Sequence, residues 1–256
     1  MDYFAGVFDA EGSLSLSKNG AFPISIEMSN EEIPKLFKNE FGGSIYTRQR
    51  TNRKRTWIWK INSKRKEAYH FLECMHPLCL IKEIQIHLLM TYLEMNKSEA
   101  KENRNDLIQD IREEKQPVPF EKFIYWEGST EPCEAFFKWF AGFIDGDGNF
   151  VCNQYTDKRN NKKYFGHQIS FSTIHGCPLA TIDTFWKGTI VRCHRNKNTL
   201  YKWSPLRENE RVICESILPF LKVKKKQCEL FLEFIDCQND SRKLEIIESI
   251  KHLNSL

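Results

Sequence analysis

The segment FAGVFDAEG at residues 4–12 returns as FAGFIDGDG at 140–148, and HPLCLIKEIQ at 76–85 returns as LPFLKVKKKQ at 218–227. The second match pairs Pro77 with Pro219, Lys82 with Lys224 and Gln85 with Gln227. Glu11 and Lys82 stand 71 positions apart, Asp147 and Lys224 77. Two landmarks repeated in order at similar spacing point to a duplicated unit, so the fold must be built twice. With 256 residues, 41% of them hydrophobic, the chain can bury two modest cores.

Both halves share one rhythm between the landmarks. After Gly12, SLSLSK alternates polar and apolar residues, Asn19-Gly20 signals a hairpin, and FPISIEM resumes the alternation. Asn30 caps a helix through about Phe41 with Pro34 in its first turn, Gly42-Gly43 ends it, and SIYTRQR and TWIWKIN form a second hairpin. Helices follow near 64–75 and 78–97. The second half predicts strands near 149–156, 164–173, 188–195 and 199–204, and helices near 178–187, 208–218 and 221–237. Three segments result: a first repeat at 1–97, a partly helical polar linker at 98–128 broken by Pro117 and Pro119, and a second repeat at 129–256 ending in a helix.

Thr130 is read as an N-cap and Pro132 as an early-turn proline for the helix through FFKWFAGFID, with Gly148 as its left-handed terminator. Asp147 then sits in the last turn, where a carboxylate opposes the helix dipole at a cost of about 0.3 to 1 kcal/mol; Glu11 repeats the arrangement before Gly12. A cost accepted twice implies a use. Gly142 and Gly146, like Gly6 and Ala10, stand one turn apart and allow close helix packing. If the two helices pack on each other, Glu11 and Asp147 meet, and paired carboxylates call for a proton or a hard divalent cation such as Mg²⁺. Asp9 and Asp145, a residue or two inside the helix ends, read as the capping pair. Lys82 and Lys224 begin apolar helices, again against the dipole; near bound metal they could stabilise the charge that develops in phosphodiester hydrolysis.

The strands supply a surface. Arg48 and Arg50 project from one face of their strand, and Arg192 and His194 are read the same way on theirs. Ser15, Ser17, Ser25, Glu27 and Lys60 in the first half, and Asn153, Tyr155, Gln168, Ser170, Ser172 and Lys202 in the second, alternate so as to face a major groove, where Arg reads guanine and Asn or Gln reads adenine. Trp57, Trp59, Tyr201 and Trp203 are assigned to the sheet cores. The net charge of +4 is mild, but basic clusters lie at 48–66, 158–163 and 222–226.

Nine cysteines without a C-x-x-C pair read as reduced thiols, and Cys193-His194 lacks a second pair at zinc-ligand spacing. No basic leader precedes an apolar core and no apolar run reaches about 18 residues, so an intracellular chain off the membrane is expected. The Lys- and Asn-rich composition leans toward an AT-rich genome such as an organelle's.

FAGVFDAEG and FAGFIDGDG are similar to the signature of the LAGLIDADG homing endonucleases, many of them intron-encoded, in their single-chain, two-repeat form. LPFLKVKKKQ resembles the catalytic-lysine region of that family. The resemblance implies an α+β fold of two tandem αββαββα repeats, with signature helices packed at a pseudo-twofold interface and saddle-shaped antiparallel sheets straddling DNA. It implies a monomer that hydrolyses both strands of a long asymmetric double-stranded DNA target and leaves short 3′ overhangs. Glu11 and Asp147 are then metal ligands and catalytic residues, with Lys82 and Lys224 as supporting lysines. Mg²⁺ is the expected cofactor, Mn²⁺ substituting and Ca²⁺ binding without efficient cleavage. Glu11 departs from the commoner Asp. Relatives that bind intron RNA make a maturase or dual-function protein the second reading, and relatives without cleavage make a DNA-binding regulator the third; the presence of both acids favours the nuclease.

Overall fold

The computed structural model describes residues 1–51, 54–61, 65–116, 131–195 and 198–255, the side chains of residues 194, 195 and 198 excepted. The chain forms two units, Met1–Val118 and Pro119–Leu256. The first runs α1 (Asp2–Glu11), β1 (Gly12–Leu14), β2 (Ile24–Met28), α2 (Glu32–Phe41), β3 (Ser44–Arg48), β4 (Thr56–Ile61), α3 (Arg65–Met75), α4 (Glu83–Glu94), α5 (Lys97–Glu102) and α6 (Arg104–Glu113). The second runs α7 (Glu134–Asp147), β5 (Gly148–Asp157), β6 (Lys162–Thr173), α8 (Gly176–Phe185), β7 (Gly188–Arg195), β8 (Asn198–Pro205), α9 (Glu210–Ile217), α10 (Lys225–Asp236) and α11 (Asp240–Ser255). Each unit holds one antiparallel four-stranded sheet, in the order β1-β2-β4-β3 and β5-β6-β8-β7. The two αββαββα repeats therefore share one topology.

Alternation decides which face of each sheet is covered. In β2 the residues Ile24, Ile26 and Met28 are buried while Ser25 and Glu27 are not, so one face packs and the other is left polar. Trp59 pairs with Ile26 and Ile45, and Trp203 with Phe171 and Ile190; both indoles are fully buried at the same point of their sheets. Phe37, Phe41 and Phe71 close around Trp59 in the first unit, with Phe8 against Phe71, and Phe140 and Phe171 around Trp203 in the second. Trp59, Tyr201 and Trp203 are core residues, as the sequence predicts, whereas Trp57, on the same face as Trp59, is only half-buried.

Local signals mostly hold. Glu31, not Asn30, is the N-cap of α2, although Asn30 Oδ1 accepts from the Glu32 N–H at 2.7 Å just ahead of it, and Gly42 ends the helix at φ 70°. The first hairpin turns at Asn19-Gly20, with Gly20 at φ +83° and the Ser17 N–H donating to Ala21 at 2.9 Å.

Two expectations at the signature helices are corrected. Gly148 is not left-handed: its φ is −75° and ψ 157°, and Gly12 matches at −71° and 146°. Both helices run straight into a strand, so no reversal is needed. Glycine is required there because a Cβ would lie 2.2 Å from the Phe8 carbonyl oxygen at Gly12 and 2.6 Å from that of Ile144 at Gly148. Pro132 precedes α7 rather than entering its first turn, since Cys133 is the N-cap. Thr130, Pro117 and Pro119 lie outside the described residues.

The segment after the first repeat begins as two packed helices. Asn96 and Glu99 form a reciprocal capping box at the start of α5, and α6 buries Leu107, Ile108 and Ile111. Among the described residues no helix is long and apolar enough to cross a membrane.

Candidate active site and nucleic-acid interface

Asp9 and Asp145 are buried at 3% and 1% exposure, inside the last turns of α1 and α7. Each carboxylate receives three consecutive N–H groups on the way into another helix. Asp9 accepts from Leu80, Ile81 and Lys82 at 2.7, 3.2 and 3.1 Å, ahead of α4. Asp145 accepts from Lys222, Val223 and Lys224 at 2.7, 3.2 and 2.7 Å, ahead of α10. A carboxylate at a positive helix end satisfies donors that the helix cannot. The expected capping pair is therefore real, but each acid caps a helix 71 to 79 residues onward, not its own turn. Residues 78–82 and 221–224 stay outside α4 and α10 for this reason, so both helices are shorter than predicted.

The lysines return the contact. Lys82 Nζ donates to the Asp9 carbonyl at 2.5 Å, and Lys224 Nζ to the carbonyls of Ile144, Asp145 and Gly146 at 2.8, 2.7 and 2.9 Å. Each is an N-cap residue, one position before the helix proper. A cation against the last carbonyls of a helix is favourable on the same dipole logic that makes it costly at an N-terminus. Each repeat thus closes a two-way clasp, and the ammonium group is fixed at the end of the helix that terminates in Glu11 or Asp147.

Glu11 and Asp147 are the final helical residues, Glu11 half-buried and Asp147 exposed. Asp9 and Asp145 are occupied by backbone donors, and Glu11 and Asp147 stand two residues on, at the helix ends. Lys115 adds positive charge to the first repeat. Burial and then the nearby Lys82 and Arg112 charges push its ammonium pKa down, and the Gln85 amide holds the adjacent Glu114 carbonyl at 3.1 Å. Among the described residues no group of three or more His, Cys, Asp or Glu forms a metal cluster.

The outer faces follow from register. In the first sheet, Ser25 pairs with Lys60, Tyr46 and Glu27 with Ile58, and Arg48 with Thr56, all opposite the buried Trp59. Tyr46, Thr47, Arg48, Ile58 and Lys60 line a shallow cleft of about 400 Å³. In the second sheet, Asn153 and Tyr155 of β5 share the outer face with Gln168, Ser170 and Ser172 of β6, and Ser172 pairs with Lys202. Ser170 is only 2% exposed, whereas Tyr155 is 52% exposed and stacks on Tyr164 at 5.9 Å.

A one-residue slip corrects β7. Arg192 pairs with Tyr201 and Ile190 with Trp203, which puts Arg192 and position 194 on the face shared with the core residues. Val191 and Cys193 are the residues beside Lys202 and Leu200 on the outer face. A strand has period two, so one position's error moves every side chain across the sheet. The informative signal was apolar: Ile45 and Ile190 both pair with the buried indole, which aligns Tyr46 with Val191 and Arg48 with Cys193. The His194 side chain lies outside the described residues.

Residues 140–237 match the sequence model of a family described as LAGLIDADG endonuclease. A search of curated proteins finds no match. Nearly the whole chain superposes on solved structures. The LAGLIDADG homing endonuclease I-GzeII in complex with its DNA target is 20% identical, with a TM-score of 0.65 over 98% of this chain and 97% of that one. The chain has the two-repeat LAGLIDADG fold. The LAGLIDADG meganuclease I-AabMI bound to uncleaved DNA gives a TM-score of 0.67 at 16% identity, over 99% of this chain and 97% of that one. I-SmaMI, bound to an uncleaved DNA target in the presence of calcium ions, gives 0.62 at 16% identity, over 100% of this chain and 98% of that one. At these identities the likeness is one of fold, and the LAGLIDADG signatures sit on α1 and α7 in this chain.

Proposed function

We propose that the chain is a site-specific endonuclease that acts as a single chain on a long asymmetric duplex and cuts both strands, leaving short 3′ overhangs. The observation that carries this reading is the doubled clasp. Asp9 and Asp145 are consumed as helix caps, while Glu11 and Asp147 end the signature helices beside an anchored ammonium group. An all-carboxylate donor set suits a hard divalent cation, Mg²⁺ foremost, with water and DNA oxygens completing the shell. Such a cation would supply positive charge against the phosphate and Lewis acidity toward the attacking water. Glu11 and Asp147 would each offer it carboxylate oxygens. Lys82 and Lys224 add fixed positive charge where the phosphodiester gains negative charge on its way to cleavage. The outer faces of the two sheets hold the duplex, and their unlike residues, Tyr46 and Arg48 against Val191 and Cys193, favour unlike half-sites.

The test is to sequence ends released from a randomised duplex library in Mg²⁺, beside Glu11→Gln, Asp147→Asn and a Ca²⁺ control. One long asymmetric site cut only by the unmodified protein in Mg²⁺ supports the reading. No cut, together with no duplex recovered by binding selection in Ca²⁺, overturns it and moves intron-RNA binding to the front.

A further inference from the structure

Glu27 stands on the outer face of the first sheet and serves three donors at once. Its Oε2 accepts from Arg48 Nη1 at 2.8 Å, and its Oε1 from Thr56 Oγ1 at 2.7 Å and Arg50 Nη2 at 3.4 Å. The three partners lie on both sides of the β3–β4 turn, so the carboxylate ties the turn's two arms to the neighbouring strand β2. All three charged groups keep contact with solvent: the side chains of Glu27, Arg48 and Arg50 are 30%, 48% and 50% exposed. An acid between two arginines lowers the attraction of the patch for phosphate, which is the opposite of what bulk affinity for a polyanion needs. Its cost has to be met by something other than strength of binding.

We infer that Glu27 is a positioning residue for sequence discrimination: it holds Arg48 and Arg50 in fixed directions toward base edges and weakens their attachment to any passing phosphate. The inference rests on the proposed DNA reading and deepens it. A guanidinium has five N–H donors in a rigid fork, so one carboxylate contact fixes its plane and leaves donors for a base. An arginine that is free to swing finds phosphates, which carry no sequence information; one held toward the groove meets guanine N7 and O6. The second sheet fixes its cation with a neutral group, since Lys202 Nζ donates to Gln168 Oε1 at 2.9 Å. Discrimination should therefore be sharper, and electrostatic attachment weaker, on the half-site read by the first sheet.

The experiment selects duplexes from a randomised library in Ca²⁺ with the unmodified chain, Glu27→Gln, Arg48→Ala and Thr56→Val, then measures Kd against salt on the selected and on scrambled duplexes. With Glu27→Gln, scrambled duplex binds more tightly, the salt slope steepens by up to about 0.9 for each additional phosphate neutralised, and base preference falls roughly fivefold or more. The loss falls at the positions that Arg48→Ala also relaxes, and Thr56→Val moves the same readouts less. A merely structural role would move the melting temperature and weaken all sequences alike, without changing slope or profile. An unchanged profile and slope in Glu27→Gln, or a uniform loss across sequences, overturns the inference while leaving the nuclease reading intact. Failure of the unmodified chain to enrich any duplex overturns the DNA reading itself, and this role with it.

Discussion

Asp145 and Lys224 cap each other's helices: the Asp145 carboxylate accepts the Lys224 N–H at 2.7 Å, and Lys224 Nζ donates to the Asp145 carbonyl at 2.7 Å. Asp9 and Lys82 repeat the exchange at 3.1 and 2.5 Å. Neutralising the buried acid of the pair and neutralising the acid two residues on should therefore have different consequences.

Asp145→Asn removes charge from a group that serves three N–H donors, and should cost about 1.5 to 3 kcal/mol of stability. Asp147→Asn changes an exposed carboxylate at the end of α7, so its stability cost should be smaller than that of Asp145→Asn, while cleavage is lost. Denaturant midpoints with unchanged slopes check the first half, and cleavage of the selected duplex the second. Equal destabilisation by both substitutions would remove the distinction between the two acids.

Lys224→Met strips three carbonyls at the end of α7 of their cation. Hydrogen exchange should speed up in that turn and in the segment entering α10, and cleavage should fall on the order of 100- to 1000-fold. Lys82→Met should act in the same direction in the first repeat. Full activity with a frayed helix end would make the lysines purely structural.

Chelation should stop cleavage without unfolding the chain. The buried signature acids are satisfied by backbone donors, so the fold does not depend on a cation to neutralise them. In EDTA the chain should stay folded, its melting temperature falling only by the modest linkage of a cation bound to the native state; unfolding on chelation at ambient temperature would show that the fold itself needs the metal.

Arg48→Ala should relax preference at its base pair by about 1 to 3 kcal/mol. On the second sheet, Lys202→Ala should alter base preference, whereas Arg192→Ala should weaken all sequences alike and reduce the salt slope by about 1. Binding profiles across a library separate the two patterns, and a profile altered by Arg192→Ala alone would contradict the register argument.

Thiol labelling should divide the cysteines. Cys79, Cys152, Cys214 and Cys228 are buried, and burial first of all pushes the Cys79 thiol up, that of Cys152 to about 12, so both stay protonated and inert near neutrality. Cys133 and Cys193 are exposed and should label in the native protein, with Cys193 protected when duplex covers its sheet face. Equal labelling of Cys193 with and without duplex would place that face away from the DNA.

Much of this was legible in the sequence because it was written twice. The repeat located both signature acids, both lysines and all eight strands, since apolar alternation fixes a half-covered strand wherever its other face is polar. A glycine after a helix most commonly serves as a left-handed cap, which is what the local sequence suggests for Gly148; a helix running directly into a strand has no such requirement. The clasp was half visible: residue position made Asp9 and Asp145 caps, but nothing local shows that the donors they serve lie 71 to 79 residues onward, since such contacts exist only after the chain has folded. Charge alone puts Arg192 on the outer face, whereas the Ile190 anchor against Trp203 sets the pleat and turns Arg192 to the other side.

Ile45 and Ile190 press on the same buried indole, while the positions beside them carry Tyr46 in one repeat and Val191 in the other. The pleat thus separates two kinds of information at one-residue intervals: letters that a packed interior holds in place, and letters that only a duplex would ever inspect. Retargeting such a protein amounts to rewriting alternate residues along its strands, an edit the helices behind the sheet never feel.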